Sequence, residues 1–214
     1  MDAIEKILNE LTDRYSALLE SSFEILKTFQ VIQKTFENNG TLLICGNGGS
    51  ACDADHIAGE LMKGFAKKRP LSDSLINEII KIDPSRASLL AMKLQCGLPA
   101  IPLTSHAAVI SAVANDNDAK LIFAQQVLAL GKKGDVLLGI STSGNAENVI
   151  CAMVTAKAMG MTTVGLTGPT GGAMKPFCDV LIHVPGETTS SIQELHLPVY
   201  HAICKMLEEA FYEV

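Results

Sequence analysis

The sequence predicts an α/β fold with three layers: a doubly wound, mainly parallel sheet of five strands between two layers of helices. The first observation is a set of short apolar runs, most of them separated by helical patterns, at 41–46, 100–104, 136–140, 162–167 and 180–184. The second is that these runs are continuous rather than alternating, as in parallel strands that are covered on both faces. Strands that alternate with helices are typical of doubly wound sheets.

Two helical segments lie outside this alternation. Residues 2–39 carry apolar side chains at helical spacing, which predicts one long helix or a pair with a break near 21–22. Residues 71–98 resemble two short helices joined at 83–84, and we interpret them as an insertion rather than a second domain. We therefore expect a single domain over 1–214.

Composition and charge exclude several classes of protein. The chain has 214 residues, of which 48% are hydrophobic and 19% charged, which favours a globular domain over a disordered chain. A net charge of −6, with only a short basic run at 67–69, argues against a nucleic-acid partner. Prolines and polar residues interrupt the uncharged stretch 94–115, so we interpret it as a buried strand and helix rather than a membrane span.

The expected location is the cytoplasm. The first residues are charged and helical in pattern and lack the apolar core of a signal peptide. The six cysteines include no C-x-x-C spacing, so the simplest interpretation is that they are reduced thiols.

Two strand ends carry the residues of an anion cradle. Gly-Asn-Gly-Gly-Ser at 46–50 follows the first strand, and Ser-Thr-Ser-Gly-Asn at 141–145 follows the third in chain order. Ligands bind at the carboxyl ends of strands in open α/β sheets, and glycine-rich turns and helix N-termini favour anions. The pattern indicates a phosphate or sugar-phosphate site. A dinucleotide fingerprint lacks its acidic residue, a Walker loop lacks its lysine, and ordinary tight turns remain an alternative.

The helix after the first loop carries His56 and Glu60, four residues apart and therefore on one face. Such a pair can bind a metal or act in acid–base catalysis, and an ordinary surface pair remains an alternative.

The last helix carries Gln193, His196, Tyr200 and His201 among apolar residues, with Pro198 expected to bend it. Spacing alone pairs Gln193 with His196, or His196 with Tyr200. A buried core histidine is the alternative to a functional one.

The motifs CGNGGSACDADHIAGEL, ANDND, GDVLLGISTSGNAENVI, GLTGPTGGAM and IQELHLPVYHAI, in this order, resemble the phosphoheptose isomerases. These are sugar-isomerase (SIS) domain enzymes with a flavodoxin-like fold, which convert sedoheptulose 7-phosphate to D-glycero-D-manno-heptose 7-phosphate. The resemblance covers nearly the whole chain except 71–98. It implies a homotetramer with active sites between subunits, to which the N-terminal helices contribute.

The resemblance also implies roles for individual residues. One Zn²⁺ per active site would be held by His56, Glu60, Gln193 and His201, with Glu60 as general base acting through an enediol and His201 as its acid–base partner. The implied substrate contacts are Asn47, Gly48, Gly49, Ser50, Glu60, Asn115, Asp116, Ser141, Thr142, Ser143 and Gln193.

The chain departs from the family pattern at several positions. Ala146 stands where the family has a serine, Ser190 and Ser191 replace an acidic and a basic residue, and Gly64 replaces an arginine. Two alternatives to a heptose isomerase stay open: an isomerase of another phosphosugar, and a non-catalytic SIS module that binds sugar phosphates.

Overall fold

A computed structural model describes residues 3–212 of the chain. The predicted domain 1–214 also includes residues 1–2 and 213–214, which lie outside the described residues. Residues 1–2 also belong to its predicted N-terminal helical segment, 1–39. The five strands of the sheet are β1 Leu42–Gly46, β2 Ala100–Pro102, β3 Val136–Ser141, β4 Thr162–Thr167 and β5 Val180–His183.

All neighbouring strands in the sheet are parallel, and their order is β2-β1-β3-β4-β5. This is the flavodoxin-like order, so the predicted fold class is confirmed. Every residue of β1 and β3 is buried, as expected for central strands that are covered on both faces. The order in which strands are added to the sheet reverses between β1 and β3. Such sheets bind ligands at the carboxyl ends of the two strands beside this switch point.

Helices cover both faces of the sheet. The first core layer packs α1, α2, α3 and α9 on one face, and the second packs α7 and α8 on the other. The helices are α1 Ala3–Arg14, α2 Ser22–Glu37, α3 Gly49–Met62, α4 Asp73–Ile82, α5 Pro84–Lys93, α6 Ala107–Val113, α7 Ala124–Leu130, α8 Glu147–Ala158 and α9 Thr189–Phe211. The predicted N-terminal break is a 3₁₀ turn, Ser16–Ser21, between α1 and α2.

The segment 71–98, predicted to be an insertion, contains a surface hairpin of α4 and α5. The Ser72 side chain caps α4, and Asp83 caps α5 with Pro84 in its first turn, so local sequence sets both helix starts. All residues of both helices are described; α4 buries none of them and α5 buries Ala87 alone.

The helix predicted within 94–115 is α6, and the prediction that it is buried is wrong. It follows the edge strand β2, where few elements surround it, and Val113 is its buried residue. Across residues 3–212, no helix combines the length and the apolar character needed to cross a membrane.

Candidate active site

A cavity of about 330 Å³ lies at the carboxyl ends of β1 and β3. Both predicted loops line it, together with one residue of α9. The predicted residues that it brings together are Asn47, Gly48, Gly49, Ser50, Ser141, Thr142, Ser143 and Gln193. Sequence reasoning missed Thr189, in the first turn of α9, which also lines this cavity.

The cavity suits an anion although no described residue that lines it carries a charge. Three helices begin at its wall: α3 at Gly49, α8 directly after Ala146, and α9 at Thr189. Their unpaired backbone N–H groups and dipoles favour negative charge, and the hydroxyls of the second loop supply further donors. Ala146, where the resemblance implies a serine, supplies no hydroxyl to this wall.

Backbone geometry and side-chain contacts fix the two loops. Gly48 has φ of 55°, a conformation that glycine adopts without strain. A Cβ at Gly49 would lie 2.4 Å from the side-chain nitrogen of Gln193, so glycine lets α9 approach. The amides of Asn47 and Asn148 exchange two hydrogen bonds, of 2.8 and 2.9 Å, which connect the first loop to α8.

Acid–base groups gather further along α3 and α9. His56 Nε2 lies 3.1 Å from Glu60 Oε1 and 3.5 Å from His201 Nε2. Burial lowers the pKa of His201, and the adjacent His56 adds to this effect, so His201 favours the neutral form that can accept a proton. The structure therefore brings together the two predicted catalytic residues, Glu60 and His201, on either side of His56.

The Tyr200 hydroxyl lies behind this cluster. It donates to Asp53 Oδ1 at 3.2 Å and lies 3.0 Å from His56 Nδ1. Sequence reasoning missed Asp53, although its position three residues before His56 places both on one helix face. Burial raises the pKa of the Asp53 carboxyl, and the Tyr200 hydrogen bond partly opposes this effect.

Two of the distances between donor atoms in this cluster match the distance between two ligands of one zinc ion. Two ligands at about 2.1 Å from a tetrahedral Zn²⁺ lie about 3.4 Å apart, close to the observed separations of His56 from Glu60 and from His201. The Gln193 side chain makes no hydrogen bond within the described chain and lies instead against Gly49 in the cavity. Among residues 3–212 no group of three or more His, Cys, Asp and Glu side chains is positioned to hold a metal, so the zinc centre stays a prediction.

The remaining predicted residues lie elsewhere. Asn115 and Asp116 are exposed on a π-helical turn, Ala114–Asp118, and the Asn115 amide donates to Asp116 at 2.7 Å. They do not line the cavity. The two pairings of His196 inferred from spacing are wrong. His196 is fully buried, and both ring nitrogens lack a partner in the part of the chain that is described.

A buried ion pair supports the end of α3, and sequence reasoning did not find it. Glu208 on α9 accepts hydrogen bonds from the N–H groups of Phe65, Ala66 and Lys67 and from Arg69 Nε at 2.9 Å. The Arg69 guanidinium in turn donates to the backbone carbonyls of Leu61 and Glu60. The pair therefore fixes the turn after Glu60. Gly64, where the resemblance implies an arginine, falls within this turn.

The turn at Ser190 and Ser191 serves the helix rather than a ligand. Thr188 and Ser191 form a capping box, in which each side chain accepts from the other's backbone N–H. α9 then runs without interruption through Pro198 to Phe211.

Comparison with known proteins identifies the family of the chain. The sequence matches the profile of the SIS domain over residues 6–88 and 85–168. It is 38% identical to the phosphoheptose isomerase of Nitratiruptor sp. over 99% of this chain and all of the relative. Its fold is similar to that of phosphoheptose isomerase from Neisseria gonorrhoeae, with a TM-score of 0.72 and 31% identity over 96% of this chain and 98% of that one.

The structure of a phosphoheptose isomerase from Francisella tularensis aligns with a TM-score of 0.74 and 30% identity, covering 98% of this chain and all of that chain. With relatives of this identity over nearly its full length, the chain is an isomerase enzyme and belongs to the phosphoheptose isomerase family of SIS-domain proteins.

Proposed function

We propose that the protein interconverts sedoheptulose 7-phosphate and D-glycero-D-manno-heptose 7-phosphate. The observation that supports this most is the arrangement of two sites along α3 and α9. Gln193 lies in the anion cavity, and His201 follows it by eight residues, about 12 Å along the helix axis. A phosphate at one end and a reacting carbon at the other suit an extended phosphosugar. We choose a seven-carbon sugar because the relatives are named phosphoheptose isomerases.

The cavity would bind the phosphate through backbone N–H groups, the hydroxyls of Ser141, Thr142 and Ser143, and three helix N-termini. Its role is to position the substrate, because binding the phosphate holds C1 and C2 beside the acid–base cluster. Gln193, at the wall of this cavity, would contact the bound sugar phosphate.

Glu60 would move the proton between C1 and C2 through an enediol, and His201 would move the proton between O1 and O2. Glu60 is oriented by its contact with His56 and by Arg69, which donates to the Glu60 backbone carbonyl. His201 is favoured in the neutral form, which can accept a proton and return it.

We also propose that His56, Glu60 and His201 hold one Zn²⁺, with Gln193 as a fourth ligand. When bound, the metal would act as a Lewis acid that stabilises negative charge on the sugar oxygens. Two separations, His56 from Glu60 and His56 from His201, support this proposal. The three side chains would have to close around the metal, and Gln193 would have to turn away from Gly49 to reach it.

A homotetramer in the cytoplasm completes the proposal. The N-terminal helical pair exposes Leu19 at 62% and Phe23 at 68%, which is consistent with a subunit contact there. All six cysteines are free thiols, as in reducing compartments. Light scattering should give the mass of a tetramer, and Phe23→Asp should reduce it. A monomeric wild-type mass would contradict this part.

The test of the reaction compares Glu60→Gln with Glu78→Gln, an exposed carboxylate on α4. Glu60→Gln should lower kcat by at least about 10²–10⁴-fold, because it removes the proton acceptor, while calorimetry still detects the sugar phosphate. Glu78→Gln should behave like the wild type. Full activity in Glu60→Gln would refute the assignment of the base.

A further inference from the structure

We propose that Asp53 and Tyr200 are positioning residues that fix which ring nitrogen of His56 carries a hydrogen. They keep a hydrogen on Nδ1, so that Nε2 is the ring atom directed at Glu60 and His201, the position proposed above for Zn²⁺.

The inference follows from counting hydrogens. Tyr200 is 2% exposed, and its hydroxyl has one hydrogen to share between two neighbours, Asp53 Oδ1 at 3.2 Å and His56 Nδ1 at 3.0 Å. The second oxygen of Asp53 is buried without a partner in the described chain, and Tyr200 is the one donor that contacts this carboxylate there. Giving the hydrogen to His56 instead would leave the half-buried Asp53 carboxylate, whose second oxygen is fully buried, with no hydrogen bond from the described chain, which is costly.

His56 must therefore donate to Tyr200 through Nδ1–H. A ligating histidine is commonly oriented in this way, by donating its other ring N–H to an oxygen acceptor. The Nε2 atom is then the ring nitrogen that faces Glu60 Oε1, at 3.1 Å, and in the neutral ring it presents a lone pair there. A proton or the proposed Zn²⁺ between the two atoms would satisfy both of them. The hydrogen on Nδ1 thus leaves Nε2 as the atom that would bind the proposed metal.

The test uses protein labelled with ¹⁵N in its histidines, and two-bond ¹H–¹⁵N NMR correlations that report where each ring hydrogen lies. His56 is assigned by comparison with His56→Ala. In the wild type, free of metal, we expect a hydrogen on Nδ1. In Tyr200→Phe we expect that hydrogen on Nε2, where Glu60 can accept it. A wild-type His56 with its hydrogen on Nε2 alone would overturn the proposal.

A second readout is zinc affinity, measured by competition with a chromophoric chelator. Tyr200→Phe should weaken zinc binding by about 10–100-fold, the usual effect of losing such a partner. Tyr15→Phe is the matched control. It also removes one phenol oxygen from a cavity that His201 lines, but the tyrosine in contact with His56 is Tyr200, so the zinc affinity of Tyr15→Phe should equal that of the wild type. Equal affinities in all three proteins, with an unchanged ring hydrogen, would overturn the proposal.

The affinity readout rests on the proposed zinc site, whereas the NMR readout does not. If the wild type binds no zinc and isomerises no sugar, the proposed function fails, and the position of the His56 hydrogen still decides this inference.

Discussion

The substitution Glu208→Gln should strongly destabilise the protein. The Glu208 carboxylate is 1% exposed and accepts four hydrogen bonds, three from backbone N–H groups and one from the fully buried Arg69. An amide replaces one acceptor oxygen with a donor and leaves the guanidinium charge buried without its counter-ion. Removing one partner of such a pair typically costs about 3–5 kcal/mol, which is the loss we expect in the free energy of unfolding.

The assay is urea denaturation followed by circular dichroism at one protein concentration, since subunit association also changes apparent stability. The matched control is Glu209→Gln, the next residue on α9, which pairs with Lys67 at 2.8 Å and is 35% exposed in its side chain. This pair is only partly buried, and because ion pairs that water reaches contribute about 0–1 kcal/mol, the control should lose much less than Glu208→Gln. If Glu208→Gln loses no more than Glu209→Gln, the reasoning about the buried pair is refuted.

Three further predictions concern pH, backbone and thiols. Burial lowers the pKa of His196 to about 4, so the unfolded chain binds a proton at this residue before the folded chain does. The free energy of unfolding should therefore fall by up to about 3 kcal/mol as the pH drops from about 6.5 to 4. In denaturation series His196→Leu should remove this loss, and an unchanged pH dependence would contradict the prediction. Gly144→Ala should lower the free energy of unfolding by about 2 kcal/mol or more, because φ is 67° and the new Cβ would lie 2.0 Å from the Gly171 carbonyl oxygen. Gly59→Ala, in open space within α3, should be neutral or stabilising. Thermal unfolding measures both, and equal effects would refute the strain at Gly144. Iodoacetamide should modify the exposed Cys52 before Cys45, whose buried thiol has a pKa raised to about 12; mass spectrometry that finds Cys45 modified first would show that this strand opens.

The sheet and the cradle could be predicted because their signals are local. Continuous apolar runs gave β1 and β3, and the polar turns after them define the cavity. Helical spacing likewise places His56 beside Glu60, which lie 3.1 Å apart. In each case, residues close in the sequence determine the geometry.

Contacts between distant residues could not be predicted in the same way. Tyr200 and His56 are 144 positions apart, and Arg69 and Glu208 are 139 apart, so no periodicity connects them. The wrong pairings of His196 have the same cause: its spacing from Gln193 and Tyr200 did not show that its own face of α9 points into the core.

Incubation of the wild-type protein with sedoheptulose 7-phosphate in deuterated water, with and without a zinc chelator, would test the zinc-dependent isomerisation itself. NMR follows both the aldose heptose phosphate and deuterium at C2. We expect conversion with deuterium at C2, which the chelator should abolish and added zinc should restore. No conversion by the zinc-loaded protein would contradict the proposed reaction, and conversion without deuterium at C2 would contradict the enediol route.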